Sequence, residues 1–521
     1  MGDEPLQPPW LSSGDGCARG WKDAATQLEH NASLRLGSLE RARRLTATVC
    51  TVSPECVNEE EMDRLVEAGL TTCRLDPSRG SLEQLAAVLQ ALREAAARRG
   101  ARLGLHWPIS AALVTSGPAI HTGHLSGGFS AAIHLDPGDV VTLTTDRQYS
   151  ESCSADNLYV DYEKITSVVN VGDTVLLDEG RISMIVKEVK RKSVICEVMK
   201  GGALASFKSV NLPGVTLDLP AVTERDRRNL QFGVEQGVDI IFAGSVRNAE
   251  TVRKLRAELG EKGYEILIVA KVESEEAVEN IDEILSEADG IAIGCGAAHV
   301  EMSPDKALLA QKLIAAKCNI AGKPAVCAAR TGADVAAAVQ DGADCVLLLE
   351  EATEESLREV AALCRAAEAA VWERQLTHDL LRAAAAPPPA DPATAAAAAA
   401  VVAALLSRAT AIVVLTVTGW SARCIARFRP QCALIAVTRN SGVARRLHVL
   451  RAVLPLLYMA PPLEDWPRDT DLRIQYALSF GLTQGIVGKG DAVVLVSGWR
   501  PGPGNTNKVR IMYAPPLSDE K

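Results

Sequence analysis

Ile268-Val269-Ala270-Lys271-Val272-Glu273, followed by Asp289-Gly290-Ile291-Ala292-Ile293-Gly294-Cys295-Gly296-Ala297-Ala298, decides the fold. Each half opens on a short apolar run that reads as a buried strand, and a helix-length segment separates the two. Strand, helix, strand is the rhythm of a parallel sheet. The same rhythm continues outward. Upstream lies Ile240-Ile241-Phe242-Ala243, and downstream lie Ala325-Val326-Cys327 and Cys345-Val346-Leu347-Leu348. Nearer the start, Thr48-Val49-Cys50-Thr51-Val52 and Thr71-Thr72-Cys73-Arg74-Leu75 read as strands, with helices over 59–68 and 82–99.

Between 117 and 218 the texture changes to short alternating segments. These are Val140-Val141-Thr142-Leu143-Thr144, Ser167-Val168-Val169-Asn170-Val171, Thr174-Val175-Leu176-Leu177, Ile182-Ser183-Met184-Ile185-Val186 and Val194-Ile195-Cys196-Glu197-Val198. Gly172-Asp173 and Asp178-Glu179-Gly180 punctuate them as turns. An Ala/Pro-rich linker over 383–392 precedes a helix over 393–406, then strands at Ala411-Ile412-Val413-Val414-Leu415 and Leu434-Ile435-Ala436-Val437, then a hairpin of 492–496 with 509–513. The chain therefore reads as α/β: a (β/α)8 TIM barrel with an inserted β-barrel domain and a C-terminal α/β domain. In chain order the expected segments are an N-terminal extension with a helix (1–43), the opening stretch of the barrel (44–116), the insert (117–218), the remainder of the barrel (219–387) and the C-terminal domain (388–521). In such barrels chemistry sits at the C-terminal ends of the strands, where Arg74, Thr115, Lys271, Glu273, Ala297 and Ala329 fall.

Composition narrows the class. At 521 residues the chain exceeds one domain, and 47% hydrophobic content supports large cores. A net charge of −10 implies no broad basic face for nucleic acid. The 13 cysteines follow no paired or zinc-binding spacing, and no secretory leader opens the chain, so reduced thiols and a cytoplasmic location are expected. The apolar run 393–406 is too short to span a bilayer, so no membrane partner is expected.

The quoted stretch resembles the catalytic segment of the pyruvate kinase family, whose pattern is Lys-x-Glu followed by Asp-Gly-x-x-x-Ala-Arg-Gly-Asp-Leu-Gly. The likeness runs from about 44 to 515 and is strong in Asp161-Tyr162-Glu163-Lys164-Ile165, Val210-Asn211-Leu212-Pro213-Gly214, Ala436-Val437-Thr438-Arg439-Asn440 and Ser497-Gly498-Trp499-Arg500-Pro501-Gly502. The animal form is the nearest likeness. The resemblance implies phosphoryl transfer from phosphoenolpyruvate to ADP, giving pyruvate and ATP in glycolysis, with Mg2+ (or Mn2+) and K+. It also implies an oligomer, homo- or hetero-, since the family forms tetramers.

By the same resemblance Lys271 is the phosphoryl-stabilising lysine, Glu273 the first Mg2+ carboxylate and Arg74 the substrate-phosphate arginine. Ser78 and Thr115 match two K+ ligands. The family's K+-site asparagine falls on Asp76 and its aspartate on Val114; either Asp76 restores part of the lost charge, or the change is drift without rescue, the more expected of the two. Thr416, Thr418, Gly419, Ser421, Trp466 and Arg473, with the loop 500–505, match the sugar-bisphosphate effector site of animal forms; Val417 and Trp420 stand where basic residues are common. Several family positions are lost. Ala297 replaces the second Mg2+ carboxylate, Cys295 an arginine, His121 an arginine near the nucleotide phosphates, and Ala329 the active-site threonine. The loop and helix that follow that threonine are missing. Imidazole prefers softer ions than Mg2+, so His299 is not expected to substitute. Each lost charge-stabilising group costs about two to three powers of ten in rate. Impaired or absent turnover is the expectation. The alternatives are a functional pyruvate kinase that tolerates the changes, and a non-catalytic regulatory partner of an active paralogue.

Overall fold

The structure is a computed structural model and describes residues 24–34, 43–54, 58–118, 120–126, 132–178, 180–215, 220–294, 302, 304–384 and 390–515. Eight parallel strands form a closed barrel: Ala47–Thr51, Thr72–Leu75, Ser110–Val114, Ile240–Ala243, Leu267–Val272, Gly290–Ile293, Ala325–Ala329 and Cys345–Glu351. Seven of these are legible as largely apolar runs. The third is the exception. Ser-Ala-Ala-Leu-Val has few β-formers, yet all five residues are buried, so burial overrides weak propensity there.

The chain divides into two compact units, Met1–Ala112 with Cys318–Lys521, and Leu113–Lys317. The second unit contains the insert. A seven-stranded sheet runs Ile120–His121, Ser209–Asn211, Thr174–Leu177, Ile182–Val189, Ser193–Lys200, Val140–Thr144, Asn157–Tyr159, and a ribbon pairs Ala132–Leu135 with Gly202–Ala205. Alternate residues such as Ile182, Met184 and Val186 fill one core. The segment 167–171, expected as a strand, is not one. Ile165–Val168 forms a short helix, with Ser167 N and Oγ both donating to Lys164 O. A turn follows, in which Asn170 N donates to Asp173 Oδ2 at 2.7 Å. Serine and aspartate bonding to the nearby backbone outcompete the alternating pattern.

In the first unit the C-terminal domain is a five-stranded sheet in the order Val453–Leu457, Ala433–Thr438, Ala411–Leu415, Ala492–Gly498, Thr506–Tyr513. The expected hairpin is present as its antiparallel edge. Val453–Leu457 carries Pro455 and escapes a propensity reading; it sits on the other edge, where proline is tolerated. No helix of the described residues is long and apolar enough to cross a membrane.

Buried polar groups tie this domain to barrel-strand ends and to the helix Glu373–Ala384 of its own unit. Arg429 pairs with Asp344 at 3.3 Å, and Arg451 with Glu373 at 2.5 Å. His448 Nε2 meets Pro108 O at 2.8 Å. Burial pushes the His448 imidazole down to about 4 from 6.5, against the pull of Pro108 O and with help from the Arg44 charge. The unfolded imidazole takes a proton near 6.5, the folded one only near 4. The stabilising difference is therefore complete above pH 6.5 and is lost as pH falls towards 4. By pH 5 about 2 kcal/mol should be gone. His448→Gln should show a smaller drop in melting temperature between pH 7 and pH 5 than the native chain; equal drops would refute this reading.

Candidate functional site

The residues singled out in the sequence are divided between the two compact units. In the second unit Lys271 lies in the strand Leu267–Val272, and Glu273 follows directly. Lys271 Nζ is 3.0 Å from Glu273 Oε1, with both side chains largely buried. Glu273 Oε2 accepts from Ser245 N at 3.2 Å. Both carboxylate oxygens are thus engaged. Ser245 has a left-handed backbone, φ 50°, which aims its N–H at Glu273.

Ser245 is placed by a close approach of two turns. Thr115 N donates to Phe242 O at 3.0 Å, and Thr115 Oγ1 accepts from Gly244 N at 3.2 Å. A Cβ on Gly117 would stand 2.3 Å from Gly244 O, so only glycine fits. Asp226, in a capping box with Thr223, holds the Gly117 N–H at 3.3 Å. Neither Ser245 nor Asp226 was singled out in the sequence. The signal was present in Ala243-Gly244-Ser245, a glycine directly past a strand end.

In the same unit His121 closes a short strand. Its ring stacks on Phe207, centroids 4.4 Å apart, and its backbone N–H donates to Asp161 Oδ1 at 2.7 Å. Val114 is buried at the end of its strand. Cys295, Ala297 and His299 lie outside the described residues.

In the first unit Arg74 stands near the end of Thr72–Leu75. It donates to Thr51 Oγ1 at 2.8 Å and to Asp76 Oδ2 at 2.9 Å. Asp76 Oδ1 accepts from Ser78 N at 3.0 Å and Ser78 Oγ at 2.7 Å. Burial works to raise the Asp76 carboxyl, but Arg74, the two Ser78 hydrogen bonds and Arg79 outweigh it and hold it below the usual carboxylate range. Asp76 is charged, and its charge is already spent on Arg74 and Ser78. Arg79 in turn reaches Glu351 at 3.4 Å. Ala329 ends its strand, buried. Only Arg330 and Thr331 separate it from the helix Gly332–Gln340, whose N-terminus is closed by a Thr331–Asp334 capping box. The shortened connection is thus a finished βα turn.

The effector-type residues also belong to the first unit. Thr416 Oγ1 accepts from Gly419 N at 3.0 Å, and Thr418 Oγ1 from Trp420 N at 3.4 Å. Gly419, φ 86°, precedes the helix Trp420–Arg427. Ser421 Oγ meets Thr506 Oγ1 at 2.6 Å, and Trp466 Nε1 donates to Gly498 O at 3.4 Å, so both ends of the loop between Gly498 and Thr506 are pinned. Arg473 stacks on Trp466 at 4.9 Å and lies 2.8 Å from Asp469, which Arg439 also holds at 2.6 Å.

Comparison with known proteins decides the family. The pyruvate kinase barrel domain matches residues 43–358, and the pyruvate kinase alpha/beta domain matches 394–512. The chain belongs to the pyruvate kinase family. It is 41% identical to human pyruvate kinase PKLR over 508 residues, covering 94% of this chain and 88% of the human one. It is 35% identical to pyruvate kinase 1 of Trypanosoma brucei brucei over 514 residues (94% and 100% covered). With pyruvate kinase of Schizosaccharomyces pombe the identity is 36% over 491 residues (90% and 95%). The expected barrel and C-terminal α/β domain are those of this family.

Proposed function

We propose that this chain keeps the frame of a pyruvate kinase but moves phosphoryl groups from phosphoenolpyruvate to ADP slowly or not at all. The observation that carries the reading is Glu273, with one oxygen on Lys271 and the other on Ser245 N. A hard divalent ion needs several oxygen ligands in near-octahedral array. The second family carboxylate is Ala297, whose methyl group has no donor atom. One carboxylate with both oxygens engaged does not fit the family's Mg2+ site. Asp76, taken up by Arg74 and Ser78, is likewise a poor K+ ligand.

What remains suits holding a ligand. Within the second unit the Lys271 ammonium, and within the first the Arg74 guanidinium, are each suited to an anionic phosphate oxygen. Ala329 offers no hydroxyl for the enolate end of the reaction. A sugar bisphosphate would meet an Arg473 already paired with Asp469, which supports weak effector binding. Free cysteines suit a cytoplasmic protein, acting alone or in oligomers of its own or a paralogous chain.

A lactate dehydrogenase-coupled assay with phosphoenolpyruvate, ADP, Mg2+ and K+ tests this reading against Lys271→Met. Equal, background rates are expected, while phosphoenolpyruvate still raises the melting temperature of the native chain. A native rate about 100-fold or more above Lys271→Met would overturn the proposal.

A further inference from the structure

We propose that a cavity of about 450 Å³ beside the end of the helix Pro392–Leu406 is a binding site for a small amphipathic monocarboxylate. Its size lies within the range of small-molecule sites. The wall is mostly aliphatic, including Val401, Leu405 and Ile486, and no acidic side chain lines it. Two guanidinium groups do, those of Arg43 and Arg408. Among the described residues neither makes an ion pair. Arg43 spends one donor on Gln484 O, and burial without a counter-charge lowers its pKa. Thr410 Oγ1, also on the wall, is buried without a hydrogen-bond partner among the described residues.

Arg408 adds an argument from the backbone. The helix ends in Ser407, and Arg408 follows in the left-handed region at φ 50°, its N–H on Leu405 O, while Ala409 N bonds Ala404 O. Glycine is the low-cost residue at such a position. A β-carbon there costs about 1 kcal/mol. The helix dipole favours any cation at this end, but it accounts for neither the cavity nor the orphan hydroxyl. A carboxylate with an apolar tail answers all three features. Its head takes charge-assisted hydrogen bonds from arginine and one from Thr410, and its tail fills the aliphatic wall.

Cys432, a half-exposed thiol outside any disulfide on the same wall, supplies a reporter. Full-length protein is labelled with N-ethylmaleimide, and the Cys432 peptide is followed by mass spectrometry with octanoate or octan-1-ol present. Octanoate is expected to slow labelling of Cys432, and octan-1-ol to need about tenfold more for the same effect. Arg408→Gln should raise the half-effect concentration of octanoate about tenfold, and Thr410→Val about threefold, with ligand-free melting temperatures unchanged. Three results would each overturn the proposal: no protection by octanoate up to about 10 mM, equal protection by the alcohol, or an unshifted half-effect concentration in Arg408→Gln.

Discussion

Ala297→Asp is expected to raise phosphoenolpyruvate-dependent ATP formation at least about 100-fold over the native chain, the usual worth of one preorganised charge-stabilising group. The argument is electrostatic competition. Among the described residues, Lys271 and a divalent cation at Glu273 would share one carboxylate, and Glu273 Oε2 is already given to Ser245 N. A second carboxylate would supply a cation with oxygen ligands of its own and leave the lysine its charge. The substitution therefore has a readout apart from turnover. Mn2+ affinity, measured by electron paramagnetic resonance, should rise about tenfold or more, and Ala297→Asn should gain far less, because a neutral amide is a weak partner for a hard cation. A native chain that binds Mn2+ as tightly as the variant would refute the claim. If Mn2+ binding tightens while the rate stays flat, the loss at Ala329 and the short turn after it limit the reaction, and the carboxylate is not the dominant lesion.

The framework was legible where residue type and burial agree. The run Ile268-Val269-Ala270 is apolar and buried, and the strand lies where that run predicts it. Legibility failed in two ways. Ser110-Ala111-Ala112 carries no strand signal of its own and is a strand because the barrel buries it on all sides. Ser167 to Val171 alternates well but is captured by hydrogen bonds within a few residues, which a periodicity reading does not weigh. The site divides along the same line. Lys271, Glu273 and Arg74 are visible because their charge stands at strand ends. Ser245 N is signalled only by the glycine before it, and Thr51 Oγ1 and the Asp226 carboxylate not at all, because each acquires its role only from what the fold brings beside it. Asp76 shows the cost of reading charge without partners. From the sequence, a carboxylate beside a lost one reads either as partial rescue or as drift, and the structure shows Asp76 committed to Arg74 and Ser78.

Glu368→Leu is expected to destabilise the chain by about 3–5 kcal/mol, the scale of leaving several buried polar groups without partners. Glu368 is fully buried near the end of the helix Glu354–Ala370. Its Oε1 accepts from Thr46 N at 2.7 Å, Thr46 Oγ1 at 2.7 Å and Leu45 N at 3.0 Å, and Oε2 also lies 3.0 Å from Leu45 N. These two residues lead into the first barrel strand, so one carboxylate ties that strand's entry to a surrounding helix. Replacing a buried ion pair by apolar side chains is often harmless, because both partners can be removed together. That escape is closed here, since two of the donors are main-chain N–H groups that no substitution deletes without proline. Glu368→Gln keeps one acceptor oxygen but turns an amide N–H towards other donors, so it should cost about half as much. Thr46→Val removes only the hydroxyl donor and should cost about 1 kcal/mol. Thermal melts of the three variants give the order Leu, Gln, then Val, with Glu368→Leu lower by roughly 5 °C. If Glu368→Leu melts within a degree or two of the native chain, water or a rearranged main chain satisfies Leu45 and Thr46, and the tie has no energetic content.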